Sequence, residues 1–310
     1  MDNQMAVQSI LQEVKTVIKG KDEVVEKVLI ALLAKGHILI EDIPGVGKTT
    51  MALAFSKAMS LDYKRMQFTP DVLPTDVVGF TVLTKDQTFE YKPGAVLCNL
   101  FLADEINRTS SKTQSALLEV MEEGKVTVDG ITRDVSLPFN VIATQNPEGS
   151  AGTQLLPESQ LDRFMIKISM GYPDIHEEIN IIRGKQAGNP LNDVKPSVTK
   201  DQILHMQDQV NSVFMHDVLF TYVTALVSAT RNHPMISLGA SPRGSIALTA
   251  AAKSRAYVKG RDYVLPEDIS ALFPDIISHR LVLTSKARVS HVSVDYVISQ
   301  ILFQIESPKL

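Results

Sequence analysis

The segment from His37 to Thr50, HILIEDIPGVGKTT, constrains the fold of this chain more than any other segment. A short buried-strand pattern at residues 37–41 leads into a glycine-containing loop, and a helical pattern starts at Thr49. Strand, loop and helix in this order are typical of phosphate-binding loops, where backbone N–H groups and a helix N-terminus face an anion. The segment therefore predicts an α/β fold with a phosphate site after the first strand.

The loop supplies the predicted nucleotide-binding residues Pro44, Gly45, Val46, Gly47, Lys48, Thr49 and Thr50. We expect Lys48 to bring a point charge to the β- and γ-phosphates, and Thr49 to bring a hydroxyl to Mg²⁺. The alternative is a turn that contains Gly-Lys-Thr by chance.

The phosphate-loop motif asks for a glycine five residues before Gly47, and this chain has Asp42 there. That position lies at the strand exit, farther from the phosphates, and Asp tolerates unusual backbone angles. Asp42 is therefore an acceptable substitute, and Asp42→Gly is expected to be mild.

Two acidic residues end a later buried strand, in the sequence LFLADE. At the C-terminal end of a strand both side chains can reach a ligand cleft, although adjacent strand residues point to opposite faces. We expect Asp104 to hold the water shell of Mg²⁺ and Glu105 to polarise the attacking water. The alternative for this pair alone is a solvent-exposed acidic strand end.

Another strand, NVIATQN, ends in Thr144, Gln145 and Asn146. An amide at this point could orient the same water, and the alternative is a polar loop cap. The phosphate loop strengthens the functional interpretation of both strand ends, because the carboxyl ends of parallel strands meet at one edge of a sheet.

Strand and helix patterns alternate from residue 37 to about residue 170, which predicts a doubly wound, mainly parallel sheet. Hairpins are expected at residues 80–91 and 126–135, the second around Asp129-Gly130, a pair typical of a type I′ turn. Residues 6–34 predict one or two amphipathic helices, broken around Gly20.

The character of the sequence changes after Gly171. A loop composition of Gly, Asn and Pro follows, and the pattern from Thr199 onward is almost entirely helical. We predict an α/β core at residues 1–185, a linker at 186–198 and a smaller helical domain at 199–310.

Composition narrows the classes of partner. The formal net charge of −4 speaks against a nucleic-acid or anionic-membrane surface. A basic cluster at Lys253, Arg255, Lys259 and Arg261 is expected to be a solvated helix face, and the alternative is a nucleic-acid patch. The histidines show no metal-ligand spacing, so no structural metal is predicted.

The single cysteine, Cys98, precedes a very apolar run and is expected to be a buried, inert thiol in a reducing compartment. The N-terminal segment lacks the layout of a signal peptide, and the apolar stretches are too short to span a bilayer. We therefore expect a soluble, cytoplasmic protein without membrane insertion.

The motifs described so far and several others occur in one order: EDIPGVGKTT, FTPDVLPTDVVG, LFLADEINR, KTQSALLEVMEEG, VIATQNP, LPESQLDRF and SPRGS. With this set the sequence resembles the MoxR family of AAA+ ATPases over nearly the whole chain. The resemblance implies a P-loop AAA+ core with two hairpin inserts (80–91 and 125–136), an all-α lid domain and a six-subunit ring. It also implies that Asp is accepted in the place of the first glycine.

The resemblance assigns roles within the core. Lys48 and Thr49 match the Walker A pair, Asp104 and Glu105 match Walker B, and Asn146 matches sensor 1.

Two arginines complete the set that the resemblance implies. Arg163, in QLDRF, matches the arginine finger, which would neutralise charge on a transferring phosphoryl group bound by a neighbouring subunit. The alternative is a surface salt bridge from Arg163 to Asp162 or Glu158. Arg243 matches sensor 2, and Ser241 as N-cap with Pro242 as first helical residue would fix it in the first turn of a helix. The alternative is an exposed first-turn arginine, which the helix dipole would slightly disfavour. Gly20 and Lys21 fall where related proteins approach the adenine.

By the same resemblance, the expected function is ATP hydrolysis by a ring that remodels or matures partner proteins, typically proteins with von Willebrand factor A domains. ATP and Mg²⁺ are the expected cofactors. Two alternatives remain open: a nucleotide-dependent binding switch with little turnover, and a chelatase-type or DNA-acting motor subunit.

Overall fold

A computed structural model of this 310-residue chain describes residues 3–146 and 156–309. Its α-helices are α1 (Asn3–Val17), α2 (Asp22–Leu33), α3 (Lys48–Ala58), α4 (Pro74–Val78), α5 (Ser111–Glu123), α6 (Glu158–Leu161), α7 (Ile175–Ala187), α8 (Lys200–Ser212), α9 (Asp217–Asn232), α10 (Pro242–Val258), α11 (Pro266–Ile277), α12 (Ser285–Val289) and α13 (Val294–Gln304). Its strands are β1 (Ile38–Glu41), β2 (Tyr63–Gln67), β3 (Gly79–Leu83), β4 (Phe89–Pro93), β5 (Leu100–Asp104), β6 (Lys125–Val128), β7 (Ile131–Asp134), β8 (Asn140–Gln145), β9 (Ile166–Ile168), β10 (Ile236–Leu238) and β11 (Val282–Leu283). Short 3₁₀ turns cover Ile106–Arg108, Pro190–Asn192 and Ser278–Arg280.

The central sheet has five strands in the order β2-β5-β8-β1-β9. The pairs β2/β5, β5/β8 and β1/β8 are parallel. Every residue of β5 is buried and so are the first five residues of β8, as expected for central parallel strands with both faces covered. The predicted doubly wound sheet is confirmed.

Parallel pairing brings the polar C-terminal residues of several strands to one edge of the sheet. In the register, Gln67 lies beside Asp104, and Glu41 lies beside Gln145. Ligand sites in open α/β sheets form at this edge.

Both predicted hairpins are present, as β3/β4 and β6/β7. In the second, Asp129 and Gly130 have φ values of 51° and 74°. A type I′ turn requires positive φ at both central residues, which explains the Asp-Gly pair at this position.

Packing divides the chain into two compact units. The first unit consists of Met1–Leu29, His37–Leu156 and Ile168–His205. The second consists of Ile30–Gly36, Pro157–Lys167 and Met206–Leu310. The linear division at residues 185 and 199 stays a prediction; α7 runs to Ala187, past the predicted end of the core.

The second unit is mainly helical, with α9 to α13 packed around apolar residues such as Leu248 and Phe273. It also contains a short antiparallel pair, β10/β11, in which Ile236 lies opposite Leu283. This pair could not be predicted from the sequence, because strands of three and two residues are too short for a recognisable alternation.

A buried carboxylate, Asp268, organises part of this helical unit. Arg255 Nη1 donates to its Oδ1 at 2.6 Å, and Arg261 donates through Nη2 to Oδ1 at 2.7 Å and through Nη1 to Oδ2 at 2.8 Å. The expected solvated face is therefore wrong for these two arginines. Lys253 Nζ donates to the carbonyl of Asn211 at 3.0 Å.

Cys98 is buried, as predicted. Burial raises the pKa of its thiol to about 11. The thiol therefore stays protonated near neutral pH and is a poor nucleophile.

Candidate nucleotide site

The phosphate loop lies between β1 and α3, and α3 begins at Lys48, one residue before the predicted start. Gly45 and Gly47 have φ values of 92° and 99°, in the left-handed region that favours glycine. A Cβ atom on Gly45 would meet nothing within 4 Å, and one on Gly47 would meet only Met170 Cε, at 3.7 Å. The backbone angle, rather than a lack of space, therefore favours glycine at these two positions.

Lys48 is buried at the start of α3, and its Nζ donates to the carbonyl of Asp42 at 2.7 Å. Burial lowers the pKa of Lys48, while the charges of Asp42, Asp104 and Glu105 act in the opposite direction. An ammonium that is partly desolvated beside an open loop is well suited to bind a phosphate, because the contact is less weakened by water.

The side chain of Asp42 has a role that the sequence did not reveal. Its Oδ1 accepts from Ser169 Oγ at 3.1 Å, and its Oδ2 accepts from the backbone N–H of Met170 and, at 3.3 Å, of Gly171. Asp42 thus fixes the segment after β9 to the entrance of the phosphate loop. Its partners lie more than 120 residues away in sequence, so no local signal could have indicated them.

Asp104 and Glu105 line the same cleft, although they are consecutive. Glu105 has φ 57° and ψ 49°, a left-handed conformation that is uncommon for a residue other than glycine. The chain turns at this residue into the 3₁₀ turn Ile106–Arg108. This turn, placed directly at the end of β5, is the reason that both carboxylates reach the cleft.

Asp104 is nearly buried and accepts three hydrogen bonds from two side chains. Arg65 donates to Oδ2 through Nη2 at 2.6 Å and through Nε at 3.1 Å. Thr144 Oγ1 donates to Oδ1 at 2.6 Å. Thr144 also accepts from the backbone N–H of Glu105 at 2.8 Å, so this hydroxyl holds both acidic residues in place.

Glu105 accepts from three side chains: Asn146 Nδ2 at 3.0 Å, Arg108 Nη1 at 2.9 Å and Gln67 Nε2 at 2.8 Å. Burial by itself would raise the pKa of Glu105, but the hydrogen bonds from Asn146 and Arg108 and the charge of Arg108 lower it on balance. The carboxylate is therefore ionised near neutral pH and held in one orientation.

Asn146 presents one side of its amide to Glu105, and its Oδ1 is buried without a hydrogen-bond partner among the described residues. A buried carbonyl oxygen that lacks a donor favours occupation by a water or a ligand N–H. The neighbouring Gln145 donates to Glu41 instead, so of these two amides it is Asn146 that lines the cleft.

These groups surround a cleft of about 330 Å³. It is lined by Pro44, Gly45, Gly47, Lys48, Thr49, Thr50, Arg65, Gln67, Asp104, Glu105 and Asn146. The structure thus brings together nearly all of the predicted core residues. The exception is Val46, which lines a neighbouring cavity.

Sequence reasoning missed Arg65 and Gln67. Both lie on β2 two residues apart, so they share one face of the strand. Polar residues at the end of a strand next to the LFLADE strand were an available signal, but only the strand order shows that β2 and β5 are neighbours.

A second cavity of about 740 Å³ adjoins the phosphate loop and shares Gly45, Gly47 and Thr50 with the cleft. Its other walls include apolar side chains from four further segments of the same unit: Val17, Ile18, Met170, Ile181 and Leu191. Lys19 and Lys21 also line it. The expected adenine contact near Gly20 falls in this region.

Both the backbone angle and the close packing at Gly20 favour glycine. Its φ is 70°, and a Cβ atom there would overlap the side chain of Glu177. The Nζ of Lys21 donates to the carbonyl of Tyr172 at 2.8 Å and lies 3.6 Å from Glu177 Oε2. These contacts close one side of the second cavity.

Arg163 and Arg243 belong to the second compact unit, whereas the cleft belongs to the first. Arg163 follows α6 and is half-buried; Arg243 is exposed in the first turn of α10. Ser241 is the N-cap of α10, as predicted, and its hydroxyl accepts from the backbone N–H of Arg243 at 3.1 Å.

The arrangement fits a nucleoside triphosphate with a divalent cation. The cleft offers an ammonium and an open loop for phosphates, and the adjoining cavity offers apolar walls for a base. Thr49 and Asp104 carry the oxygen atoms that Mg²⁺ prefers as ligands or as partners of its water shell.

A family model described as "ATPase family associated with various cellular activities (AAA)" matches residues 37–166, and one described as "AAA lid domain" matches residues 228–301. The fold and the site thus define an AAA+ core with a helical lid region. A crystal structure of a candidate ATPase from Cytophaga hutchinsonii superposes with a TM-score of 0.92 at 38% identity and covers 99% of this chain and 96% of that one.

Two relatives narrow the class. YeaC of Bacillus subtilis (strain 168) is 46% identical over 299 residues, 96% of this chain and 93% of the relative. Chaperone MoxR1 of Mycobacterium tuberculosis is 41% identical over 308 residues, 96% of this chain and 81% of the relative. The chain belongs to the MoxR family of AAA+ ATPases. In the described residues, no helix is long and apolar enough to cross a bilayer.

Proposed function

We propose that this chain binds ATP with Mg²⁺, hydrolyses the terminal phosphoric anhydride bond, and uses the cycle to remodel or mature a partner protein. One observation carries the proposal: Lys48, Asp104, Glu105 and Asn146 line a single cleft at the phosphate loop. Family membership and the chaperone naming of a relative at 41% identity support it.

The loop residues 44–50 would bind the triphosphate. Backbone N–H groups of a loop that opens a helix point outward, and the helix dipole favours an anion there. Lys48 would exchange its contact with the Asp42 carbonyl for phosphate oxygens, or keep it beside them, as a three-donor ammonium allows. Bound Mg²⁺, held through Thr49 and Asp104, would neutralise part of the phosphate charge.

Glu105 and Asn146 would act on the attacking water. The Glu105 carboxylate would take a proton from the water as it attacks the phosphorus, because hydrogen bonds from Asn146 and Arg108 keep that carboxylate ionised and fix its orientation. The unpartnered Oδ1 of Asn146 would accept the other hydrogen of the same water. Together the two side chains would fix the water in one orientation.

Arg163 is proposed as the arginine finger and Arg243 as sensor 2. A guanidinium supplied by a neighbouring subunit would stabilise charge on the transferring phosphoryl group, so that hydrolysis depends on ring assembly. Six-subunit assembly and a partner with a von Willebrand factor A domain are inferred from the family resemblance.

A Glu105→Gln variant tests the proposal. The amide has nearly the shape of the carboxylate but cannot accept the proton, so ATP binding should persist while steady-state phosphate release falls by ~10²–10⁴-fold. Glu119→Gln, the same substitution at an exposed position of α5, is the matched control and should be fully active. Normal hydrolysis by Glu105→Gln would show that another residue activates the water.

The ATP-loaded Glu105→Gln protein also serves as a trap for the partner. Capture of one protein in an ATP-dependent manner, repeated with that protein purified, would support the remodelling part of the proposal. Binding that does not depend on ATP would contradict it.

A nucleotide-dependent switch with little turnover is the second candidate. The observation in its favour is that guanidinium groups already engage both acidic residues, Arg65 with Asp104 and Arg108 with Glu105. Phosphate release with and without the captured partner separates the two. A switch would show stoichiometric release, and a motor would show many turnovers that the partner alters.

A further inference from the structure

The segment that carries Arg163 is attached to a buried arginine of the same compact unit. Arg280, whose side chain is 2% exposed, donates through Nε to Asp162 Oδ1 at 2.8 Å. The same guanidinium donates through Nη2 to the carbonyls of Asp162 at 3.2 Å and Phe164 at 2.6 Å, and through Nη1 to that of Met165 at 3.2 Å. One side chain thus fixes the backbone immediately before and after Arg163.

The other oxygen of the same carboxylate leads to the helix that carries Arg243. Ser241 Oγ donates to Asp162 Oδ2 at 2.7 Å and accepts from the backbone N–H of Arg243 at 3.1 Å. Ser241 is therefore both the N-cap of α10 and a partner of Asp162. Through these bonds Asp162, the residue next to Arg163, is joined to the first turn of α10.

The start of α10 is itself held firmly. Thr230 Oγ1 accepts from the backbone N–H of Ala240 at 3.0 Å, and Arg231 Nε donates to the Ala240 carbonyl at 2.8 Å. A Cβ atom on Gly244 would lie 3.3 Å from Arg280 Cδ, so this first turn packs closely against the buried arginine. We call the hydrogen bonds from Arg280 through Asp162 to Ser241 the connection. Neither the segment around Asp162 nor the first turn of α10 is a mobile loop tip that could absorb a displacement.

The chemistry of the connection favours a positioning role over a stabilising one. A buried ion pair is often no more stable than apolar residues of the same volume, because both charges lose their hydration. A guanidinium fork, in contrast, fixes orientation, because its donors point in set directions. Here the Arg280 guanidinium contacts one carboxylate oxygen of Asp162, three carbonyls of segment 162–165 and the carbonyl of Ile276, and the second carboxylate oxygen is left for Ser241.

We infer that Asp162, held between Arg280 and Ser241, is a positioning residue that fixes Arg163 and Arg243 relative to each other. The inference rests on the proposed function, because it takes Arg163 as the group given to a neighbouring copy and Arg243 as the group that senses nucleotide. A displacement of Arg243 upon nucleotide binding is then transmitted through Ser241 and Asp162 to Arg163. The state of one site thereby sets the activity of the next.

Two substitutions of Ser241 separate the connection from the helix cap. Ser241→Asp keeps a good N-cap acceptor but places a carboxylate against Asp162, which breaks the connection. Ser241→Thr keeps both the cap and the hydroxyl donor. We expect Ser241→Asp to lower kcat for ATP hydrolysis by about tenfold or more, since a hydrogen bond to a charged group is lost and repulsion replaces it. Affinity for a non-hydrolysable ATP analogue should be nearly unchanged, and Ser241→Thr should match the wild type.

Double-mutant cycles decide whether the effect passes through the two arginines. Ser241→Asp should cause no further loss in an Arg163→Ala background, and none in an Arg243→Ala background. Additive losses in either cycle would overturn the inference, because they would mean that Ser241→Asp acts independently of that arginine. Equal kcat for Ser241→Asp and Ser241→Thr would also overturn it.

The cycle separates failure of this inference from failure of the proposed function. If Arg163→Ala alone retains full hydrolysis, the finger assignment is wrong. If Arg163→Ala is inactive and Ser241→Asp behaves as wild type, the finger assignment stands and the connection through Asp162 is wrong.

Discussion

The two compact units use carboxylates in different ways. In the first unit, Asp104 and Glu105 pair with arginines that are 47% and 41% exposed, and both carboxylates line an open cleft. In the second unit, Asp268 is 0% exposed and is held by two arginines that are about four-fifths buried. Partners at the surface of a cleft are exchangeable for a ligand, whereas partners in a core are not.

The exposed ion pairs of the cleft are therefore suited to ligand binding, whereas the buried ion pairs of Asp268 hold the helical unit together. Exposed ion pairs contribute little to stability, because water screens them and long side chains lose freedom. Removal of one partner from a buried pair leaves an uncompensated charge in the core, which is strongly destabilising. The cleft should therefore tolerate substitutions that abolish function, and the helical unit should not tolerate substitutions of its buried acids.

The largest expected effect on stability is at Asp268. Asp268→Ala leaves Arg255 and Arg261 without their shared partner and should cost ~3–5 kcal/mol of unfolding free energy. Urea unfolding in the absence of nucleotide measures it. The matched control is Asp208→Ala, which removes an exposed ion pair with Lys35 and should cost ~0–1 kcal/mol. Equal losses in the two variants would remove the distinction between buried and exposed pairs.

A second effect should appear as pH dependence, from a buried histidine of the first unit. His37 Nε2 donates to the Met121 carbonyl at 2.9 Å, and its Nδ1 accepts from the Val141 N–H at 3.0 Å. Both nitrogens are used by a neutral ring, and protonation of Nδ1 would break the second bond. Burial lowers the pKa of His37 to about 4, from the ordinary value of 6.5.

Because the folded pKa lies below the unfolded one, the unfolded chain binds the proton first as the pH falls. The contribution of His37 is fully present above pH 6.5 and declines toward pH 4, by ~3 kcal/mol in total. His279 of the second unit, whose pKa burial also lowers, acts in the same direction. His37→Gln can make both hydrogen bonds without titrating, so its urea midpoint should change less between pH 7 and pH 4.5. An identical pH profile in wild type and His37→Gln would contradict the assignment.

The third effect concerns the cleft. Lys48→Ala should weaken binding of a non-hydrolysable ATP analogue by a factor of ~10–100, as expected for loss of a charge-assisted contact of ~1.5–3 kcal/mol. Without nucleotide, its stability should be equal to or above that of the wild type, because a partly desolvated ammonium has been removed. Isothermal titration measures the affinity and urea unfolding measures the stability, with Lys112→Ala at an exposed position as the control. Unchanged affinity would refute the phosphate-loop assignment.

The sequence predicted most of what depends on local patterns. The strand–loop–helix around Gly47, both hairpins and the cap at Ser241 follow from residues that are close in sequence. The hydrogen-bond and ion-pair partners of each carboxylate could not be predicted from the sequence, because they depend on strand order or on contacts between distant segments. Arg65 and Gln67 reach Asp104 and Glu105 only because β2 and β5 are neighbours. Arg255 and Arg261 were interpreted as a solvated face because a run of basic residues does not show the acid packed beneath it.

Asp42 shares features with both kinds of carboxylate, and its substitution should have the smallest of these effects. Its side chain is nearly buried like the acids of the second unit, but its partners are Ser169 Oγ and the backbone N–H groups of Met170 and Gly171. Met170 also lines the larger cavity beside the phosphate loop. Asp42 thus holds a wall of that cavity against the loop.

The sequence alone led to the expectation that Asp42→Gly is mild, and these contacts revise it. Asp42→Gly removes the two carboxylate oxygens that accept from residues 169–171 and should weaken binding of the ATP analogue by about tenfold, roughly 1.4 kcal/mol. Asp42→Asn keeps one acceptor oxygen for the backbone N–H groups but loses the negative charge and turns an NH₂ toward Ser169 Oγ, so its affinity should fall between that of Asp42→Gly and that of the wild type. Ser169→Ala, which removes a single hydroxyl partner, should have almost no effect on affinity. Titrations of the three variants check this order, and full affinity in Asp42→Gly would show that the segment holds its position without the carboxylate.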